Sequence, residues 1–246
     1  MTIGLKALRL FGGVGVALAL SFVGGCGAVQ VAAEPQLPAA LITQLPLTVG
    51  VYYGDQFRTY VHKEERWGAE YQVTLGPGHV HLVDRLFKLE FKSTVPVESL
   101  IALPKDPPFV AILEPRIERF SFLTSRDTDG QYFAVTIDYR LNVFNAKGER
   151  IDSLTFVGYG SSSAGGMSSQ SPLLAATRAA MRDAAAKFLV QFPEQATVKK
   201  LVAGETVAPL AGAAVAGAGE AGTEIEVVPI EEKKSEPAPD KQQGGV

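Results

Sequence analysis

Cysteine is almost absent from this chain: Cys26 is the only one among 246 residues. A single thiol cannot form a disulfide bond within the chain, so no disulfide framework supports the fold. The stability of the folded state must therefore come from a hydrophobic core. The central part of the chain, residues 47–202, is long enough for one domain that buries about two-thirds of its unfolded surface.

An excess of basic charge is missing as well. The chain carries 23 Lys and Arg residues against 26 Asp and Glu residues. Residues 203–246 hold eight acidic residues and three lysines, which leaves residues 26–202 balanced, with 18 charges of each sign. Binding to a phosphate backbone requires a basic surface, so we predict that nucleic acid is not a partner.

Histidine is scarce, and the three histidines of the chain, His62, His79 and His81, are the candidate metal ligands. Two histidines at i and i+2 share one face of a strand and can bind Zn²⁺ together, but on a helix they lie about 200° apart. The pattern after Gly78 predicts a helix. We therefore expect polar residues at a helix start, with no metal site and no cofactor.

Motifs for catalysis are also missing. Residues 125–130 (SRDTDG) are similar to the first half of a calcium-binding loop, but the twelfth position of that loop is Thr136 and not glutamate. The glycine- and serine-rich segment 158–171 has neither the lysine of a phosphate-binding loop nor a Gly-x-Ser-x-Gly elbow. We predict no catalytic residue and no enzymatic activity.

The amino terminus carries the most specific pattern in the chain. Lys6 and Arg9 precede an apolar run from Leu10 to Val23, which ends at Gly24-Gly25-Cys26. This run is short for a membrane-spanning helix, which needs about 20 residues. The pattern resembles the signal sequence and lipobox of bacterial lipoproteins.

The resemblance implies that residues 1–25 are a signal peptide and that Cys26 is acylated, with palmitate among its acyl chains. Several acyl chains would hold the mature protein firmly to a membrane. Gly27 follows the cysteine where an aspartate signals inner-membrane retention in enteric lipoproteins, so we expect the outer membrane, facing the periplasm. An uncleaved membrane anchor and an ordinary signal peptide with an incidental cysteine remain as alternatives.

Composition divides the rest of the chain into three parts. Residues 26–46 are rich in Ala, Gln and Pro, which predicts a lipidated tether. Residues 47–202 predict a single α+β domain. Residues 203–246 are Ala/Gly-rich and then acidic, which predicts a disordered tail.

Apolar periodicity predicts an antiparallel sheet in the domain. Apolar and polar residues alternate over residues 135–143, as in a half-buried strand. Residues 145–148 predict a turn, so this strand belongs to a meander that spans 109–162. Further strands are predicted at 47–53, 58–62 and 71–75.

Two helices are predicted to pack on one face of this sheet. The first, at residues 79–92, has apolar residues at helical spacing. The second, at residues 172–192, follows Ser171 as a cap and has Pro172 in its first turn. Thr177, Met181 and Phe188 lie on its predicted packed face.

The order of these elements resembles that of small envelope lipoproteins whose domain is like the amino-terminal domain of TolB, the penicillin-binding-protein activators and the curli-secretion lipoproteins. Residues 108–113 (PFVAIL), 135–148 and 175–188 carry the resemblance. It implies an α+β domain with a role in the cell envelope, and it transfers no functional residue.

These features predict a membrane-anchored adaptor that faces the periplasm and binds an envelope protein or a cell-wall component; a subunit of an envelope transport or secretion assembly is the alternative. Trp67 is one predicted contact, because tryptophan is common at binding hot spots, although a buried core tryptophan is more usual. The solvent face of the 131–159 hairpin is another. A flexible segment before the second helix supplies the remaining predicted contacts: Gly160, Ser161, Ser162, Ser163, Gly165, Gly166 and Met167.

Overall fold

The computed structural model of the chain describes residues 28–33, 43–165 and 169–210. Cys26, the signal peptide and residues 211–246 lie outside the described residues, so the predictions for them stay predictions. None of the described helices is long and apolar enough to cross a membrane. The elements are, in chain order, β1 Val29–Ala32, β2 Leu45–Tyr52, α1 Asp55–Arg58, β3 Val61–Arg66, β4 Ala69–Thr74, α2 Gly76–Glu90, β5 Phe91–Val97, β6 Ala111–Leu123, β7 Tyr132–Asn145, β8 Arg150–Ser163, α3 Gln170–Gln191 and α4 Ala196–Val202.

The strands form two sheets, and the α+β class is confirmed. The larger sheet has the order β5-β2-β6-β7-β8 and the smaller one β1-β4-β3. The predicted meander is present as β6, β7 and β8, which pair antiparallel. The larger sheet is mixed, however, because β2 runs parallel to β5 and β6. The connection from β2 to β5 contains α2, and a crossover through a helix returns the chain in the same direction.

The two long helices pack on the same face of the larger sheet, as predicted. Their contact is aromatic: the ring centroids of Phe87 on α2 and Phe188 on α3 lie 5.5 Å apart. Met181 and Thr177 on α3 are fully buried, which confirms the predicted packed face of that helix.

Strand β8 and helix α3 approach each other through small residues. A Cβ atom added to Gly158 would lie 2.3 Å from the carbonyl oxygen of Ala180, and one added to Gly160 would lie 2.2 Å from that of Ala176. Real side chains do not come so close to a backbone atom. Glycine on the strand and alanine on the helix together allow this short distance.

The smaller sheet covers one end of the larger one. The ring of His62 on β3 lies 5.0 Å from that of Phe120, and Tyr71 on β4 lies 5.1 Å from Phe122. Strand β1 extends this sheet beside β4, and its Val31 is buried. Apolar side chains of β1 and β4 thus belong to the main core, whereas β3 contributes the ring of His62 that packs on Phe120.

The observed domain is longer than predicted at both ends. Strand β1 lies within residues 26–46, which were predicted to be a tether, so the folded part begins by residue 28 and not at residue 47. The segment VQVA does alternate, but four residues are too few for periodicity to distinguish a strand from a linker. At the other end, Val207 packs on the core and the backbone N–H of Leu210 donates to the carbonyl of Arg150, which extends the folded part beyond residue 202.

The second face of the larger sheet is covered only in part. A small cluster that includes Ile112, Phe144 and Phe109 packs at the end near the 145–149 turn. Beyond Ile112 and Phe144, the side chains of β6, β7 and β8 on this face are half-buried or exposed, with few exceptions. We call this area the open face; its residues are Glu114, Arg116, Glu118, Arg119, Ser121 and Leu123 on β6, Tyr132, Ala134, Thr136, Asp138, Arg140 and Asn142 on β7, and Ser153, Thr155, Val157, Tyr159 and Ser161 on β8.

Candidate functional site

The three histidines have separate surroundings. His62 Nε2 lies 3.1 Å from a carboxylate oxygen of Glu64, His79 is fully buried in α2, and His81 is exposed on the same helix. In the part of the chain that the structure describes, no group of three or more His, Cys, Asp or Glu side chains could hold a metal ion.

His79 forms a buried hydrogen-bonded pair with Tyr139. Its Nδ1–H donates to the carbonyl of Leu75 over 2.8 Å, because a carbonyl oxygen can only accept. Nε2 is therefore unprotonated and accepts from the Tyr139 hydroxyl over 2.6 Å. Burial lowers the pKa of His79 to about 4, against the effect of the Leu75 bond, so the imidazole is neutral near pH 7. The pair joins α2 to β7 without a buried charge.

Glu90, at the end of α2, is a second buried titratable group. Only 1% of its surface is exposed, and its Oε1 atom has no hydrogen-bond partner among the described residues. Burial raises the pKa of its carboxyl group to about 7. The carboxyl group is therefore protonated in mild acid and becomes an unpaired buried charge in alkaline solution.

Glu90→Gln is expected to stabilise the domain at pH 8 and to leave it unchanged at pH 4. The pKa of the Glu90 carboxyl group is about 7 in the folded state and 4.5 in the unfolded state. The free energy of unfolding therefore falls as the pH rises from the lower of these values to the higher one. Glutamine cannot ionise, so the substitution should raise the free energy of unfolding at pH 8 by about 3 kcal/mol at most, as follows from the difference between the two pKa values. Urea denaturation at the two pH values measures it. The exposed Glu98→Gln is the control, and an equal gain in both variants would contradict the explanation.

The predicted flexible segment before the second helix is partly a strand. Gly160, Ser161, Ser162 and Ser163 belong to β8 and pair with residues 132–135 of β7. The prediction of a loop was wrong for these four residues, because β7 continues beyond the polar–apolar alternation and holds them in the sheet. Gly165 lies just after β8 in open space, whereas Gly166 and Met167 lie outside the described residues.

Helix α3 caps the outer edge of β8. The carboxylate of Asp183 accepts from the backbone N–H of Tyr159 over 2.8 Å, and Lys187 Nζ donates to the carbonyl of Val157 over 2.7 Å. The two side chains also pair with each other at 2.7 Å. An exposed strand edge is a template for pairing with another chain, and here its donor and acceptor are occupied. Another strand therefore cannot add at Val157 and Tyr159 without displacing these bonds.

The central part of the open face is polar, and its charges are largely paired with one another. Pairing lowers the electrostatic attraction of this area for a highly charged ligand. The pairs are Arg119 with Asp138 at 2.6 Å, Arg140 with Glu118 at 3.1 Å, and Asn142 with Glu114 at 2.8 Å.

The open face also carries exposed apolar residues. Leu123 and Tyr132 lie near the 124–131 turn, and Tyr159 and Val157 lie further along the sheet, opposite Thr136 and Asp138. Val157 and Tyr159 are 42% and 53% exposed, and Leu123 and Tyr132 are 44% and 38% exposed. We call these four residues the apolar patch. Exposed apolar residues that lie together on one surface, with polar residues around them, are typical of interaction sites.

The sequence pattern predicted contacts on the solvent face of the 131–159 hairpin, but it did not indicate the individual residues of the patch. Val157 and Tyr159 alternate with Gly158 and Gly160, and alternation favours the larger apolar residues as the buried ones. The structure has the opposite arrangement, because the glycines face α3. A run of glycines at every second position of a strand is the signal that could have revealed a close helix on that side.

Trp67 stands at the tip of the β3–β4 hairpin and is 58% exposed. Its φ is 54° and that of Gly68 is 72°, which makes a two-residue turn with both residues in the left-handed region. A bulky side chain in that region costs about 1–2 kcal/mol. Trp67 is thus exposed and does not occupy the buried core position that is more usual for tryptophan, and asparagine or glycine would adopt its backbone conformation more easily. Its role in binding stays a prediction.

Asp127 holds Trp67 in place. Its carboxylate accepts from the indole N–H of Trp67 over 3.1 Å and from Arg66 over 3.1 Å, and also from the backbone N–H of Thr124 over 2.7 Å. Partial burial opposes ionisation, but these bonds lower the pKa of Asp127 to about 2. The carboxylate is thus charged at any physiological pH, and it ties the hairpin tip to the 124–131 turn.

A narrow cleft opens between α2, α3 and the sheet. Its volume is about 60 Å³, and its walls include Leu86, Phe87, Phe156 and Phe188. The hydroxyl of Tyr139, which also lines it, is occupied by His79. The described residues around the cleft therefore place no pair of reactive groups at a common point.

No protein-family model matches this chain, and no curated protein matches it. Among solved structures the chain is similar to a DUF330 protein from Xanthomonas campestris, with 15% identity and a TM-score of 0.41 over 68% of this chain and 93% of that one. It is also similar to a "putative neuraminyllactose-binding hemagglutinin homolog" from Helicobacter pylori, with 8% identity and a TM-score of 0.45 over 69% and 96% of the two chains. A "putative lipoprotein" from Caulobacter crescentus has 12% identity and a TM-score of 0.34 over 52% and 84%. These values are too low to transfer a function to this chain.

Proposed function

We propose that this protein is a lipid-anchored lipoprotein that faces the periplasm and acts as an adaptor, binding another protein of the cell envelope through the apolar patch. The patch itself carries the proposal. Val157 and Tyr159 lie on its β8 side, and both are fixed in the sheet on a strand whose neighbouring glycines pack against α3. Binding would bury their apolar surface without a loss of chain entropy in a flexible loop.

The surroundings of the patch favour a protein partner that packs on the face of the sheet. The edge of β8 is occupied by Asp183 and Lys187, so strand addition at Val157 and Tyr159 is disfavoured. The charges of the open face are paired in the protein itself, which disfavours a polyanion. Tyrosine combines a large apolar ring with a hydroxyl group, as is common in protein interfaces.

The anchor is the second part of the proposal. Cys26 follows an apolar run and two glycines, as in a lipobox. Acyl chains on this residue would restrict the domain to a membrane surface and raise its effective concentration toward partners at the same membrane.

A photo-crosslinking amino acid at position 159 is expected to capture an envelope protein in living cells. The matched control is position 190, because Val190 is 72% exposed on the far side of α3 from the core. A distinct adduct at 159 that is missing at 190 is the expected result. Equal adducts at both positions would contradict the assignment of the patch. An adduct between two copies of this chain would instead favour the alternative, a subunit of a larger assembly.

The same experiment with Cys26→Ala tests the anchor. We expect the variant to lose metabolic labelling with a fatty-acid probe, to accumulate as unprocessed precursor, and to give at least about tenfold less of the adduct at position 159 because the mature, lipid-anchored domain does not form. Label that is retained by the variant would refute acylation at Cys26. An unchanged adduct without the label would show that binding does not depend on the anchor.

A further inference from the structure

The position of β1 determines where the amino-terminal segment meets the domain. Strand β1 runs parallel to β4, with Val29 opposite Tyr71. Strand β4 begins at Ala69, directly after the turn formed by Trp67 and Gly68. The chain therefore enters β1 at the end of the small sheet where Trp67 lies.

Cys26 lies three residues before Val29, just as Gly68 lies three residues before Tyr71. Three residues span at most about 10 Å when fully extended. An acyl group on Cys26, which is part of the proposed function and on which this inference rests, would therefore start close to the turn. A 20-residue tether would have allowed any orientation of the domain, but this short spacer does not.

Trp67 is suited to contact with a bilayer at this place. The residue is 58% exposed, and the bond from its indole N–H to Asp127 fixes the direction of the ring. Tryptophan is enriched where proteins cross the interface between lipid and water, because one part of the ring is apolar and the other is polar. Asparagine or glycine would fit the left-handed turn without strain, so the backbone gives no reason for a tryptophan at this position. The side chain of Trp67 is therefore expected to have a function of its own.

Charge does not explain the contact. The charged residues at and next to the tip are Arg66, Arg126, Asp127, Asp129, Glu65 and Glu70. Acidic residues outnumber basic ones in this set, so attraction to anionic lipid headgroups is weak or absent. Any contact would have to come from the acyl anchor together with the aromatic ring.

We propose that the Trp67–Gly68 turn rests on the membrane surface, with the Trp67 indole in the interfacial region of the bilayer. The turn at residues 145–149, at the other end of β7, then points away from the membrane at a distance of about 40 Å, from the length of that strand. Leu123 and Tyr132 flank the 124–131 turn that Asp127 ties to Trp67. The part of the apolar patch formed by Leu123 and Tyr132 would therefore lie close to the bilayer.

Trp67 is the only tryptophan of the chain, so its fluorescence reports on this turn alone. The full chain is expressed with its leader, purified from membranes, and reconstituted in vesicles of phosphatidylethanolamine and phosphatidylglycerol with or without lipids brominated near the headgroup. We expect a blue-shifted emission that brominated lipid quenches at least about twofold. The control is the double variant Trp67→Phe, Lys147→Trp, which moves the probe to the exposed tip of the far turn and should not be quenched.

Mass spectrometry of the amino-terminal peptide, run on the same sample, separates the two proposals. If Cys26 is acylated and Trp67 is not quenched, the membrane contact is overturned and the proposed function is left intact. If Cys26 carries no acyl chain, both are overturned. Quenching of the control as strong as that of Trp67 would also overturn the contact, because the domain would then have no preferred orientation.

Discussion

Gly160→Ala is expected to lower the free energy of unfolding by about 3 kcal/mol or more. The added methyl group would lie 2.2 Å from the carbonyl oxygen of Ala176 and 2.3 Å from the backbone nitrogen of Ala180. Both atoms belong to the backbone of α3, so no change of rotamer removes the clash. The helix would have to move away from β8, and contacts in the tightly packed core between them would be lost. Urea denaturation followed by circular dichroism measures the loss.

Gly165→Ala is the matched control, because it makes the same chemical change in the same glycine- and serine-rich segment. A Cβ atom at Gly165 would have no heavy atom within 4 Å among the described residues. The change in stability should stay within about 0.5 kcal/mol and can be slightly favourable, because alanine restricts the unfolded chain more than glycine does. If both variants unfold at the same urea concentration, the close packing of α3 on β8 is contradicted.

Met181→Asp should unfold the domain or lower the free energy of unfolding by more than about 4 kcal/mol. Met181 is fully buried on the face of α3 that meets the sheet. An aspartate there would either lose its hydration without gaining a partner or be protonated at a comparable cost. The variant would therefore show a non-cooperative or strongly shifted melt by circular dichroism.

Val190→Asp is the control for this substitution, since Val190 lies on the same helix and is 72% exposed. Its effect should stay within about 0.5 kcal/mol. Lys187, also off the packed face, would be a poor control because its ammonium group donates to Val157 and pairs with Asp183. Equal melting of the Met181 and Val190 variants would show that the helix face is assigned wrongly.

The proposals for the patch and for the hairpin tip support one arrangement at the membrane. The anchor and Trp67 would set the orientation of the domain, and Val157 and Tyr159 would then be held at a fixed height above the bilayer. A partner at the same membrane would meet a surface that is already oriented, which lowers the entropic cost of binding. The crosslinking and quenching experiments address these two parts separately.

Several features of the fold follow from local sequence alone. The alternation over residues 135–143 predicted a strand with one buried face, and β7 has that form because helix α3 packs on one face of the sheet while the other face is largely open. The spacing that places Thr177, Met181 and Phe188 on one side of a helix predicted the packed face of α3. Residues 145–148 predicted a turn, and Gly148 adopts φ 81° there. Such local patterns are sufficient to predict an element and its buried face, because each pattern depends only on which side of that element contacts the core.

The remaining features depend on contacts between residues far apart in the sequence. Strand β1 is stable because β4 provides its hydrogen-bond partners and because the core covers Val31. The four residues of β1 alone cannot indicate either contact. Gly160–Ser163 form a strand because β7 extends alongside them, although their composition is that of a loop. Trp67 meets Asp127 across 60 residues, and Val157 and Tyr159 face outward because α3 lies against the glycines between them. Local sequence patterns were thus enough to predict the two long helices, the meander and an anchor, whereas packing between distant segments sets which face of β8 is exposed and brings the start of β1 to the end of the small sheet where Trp67 lies.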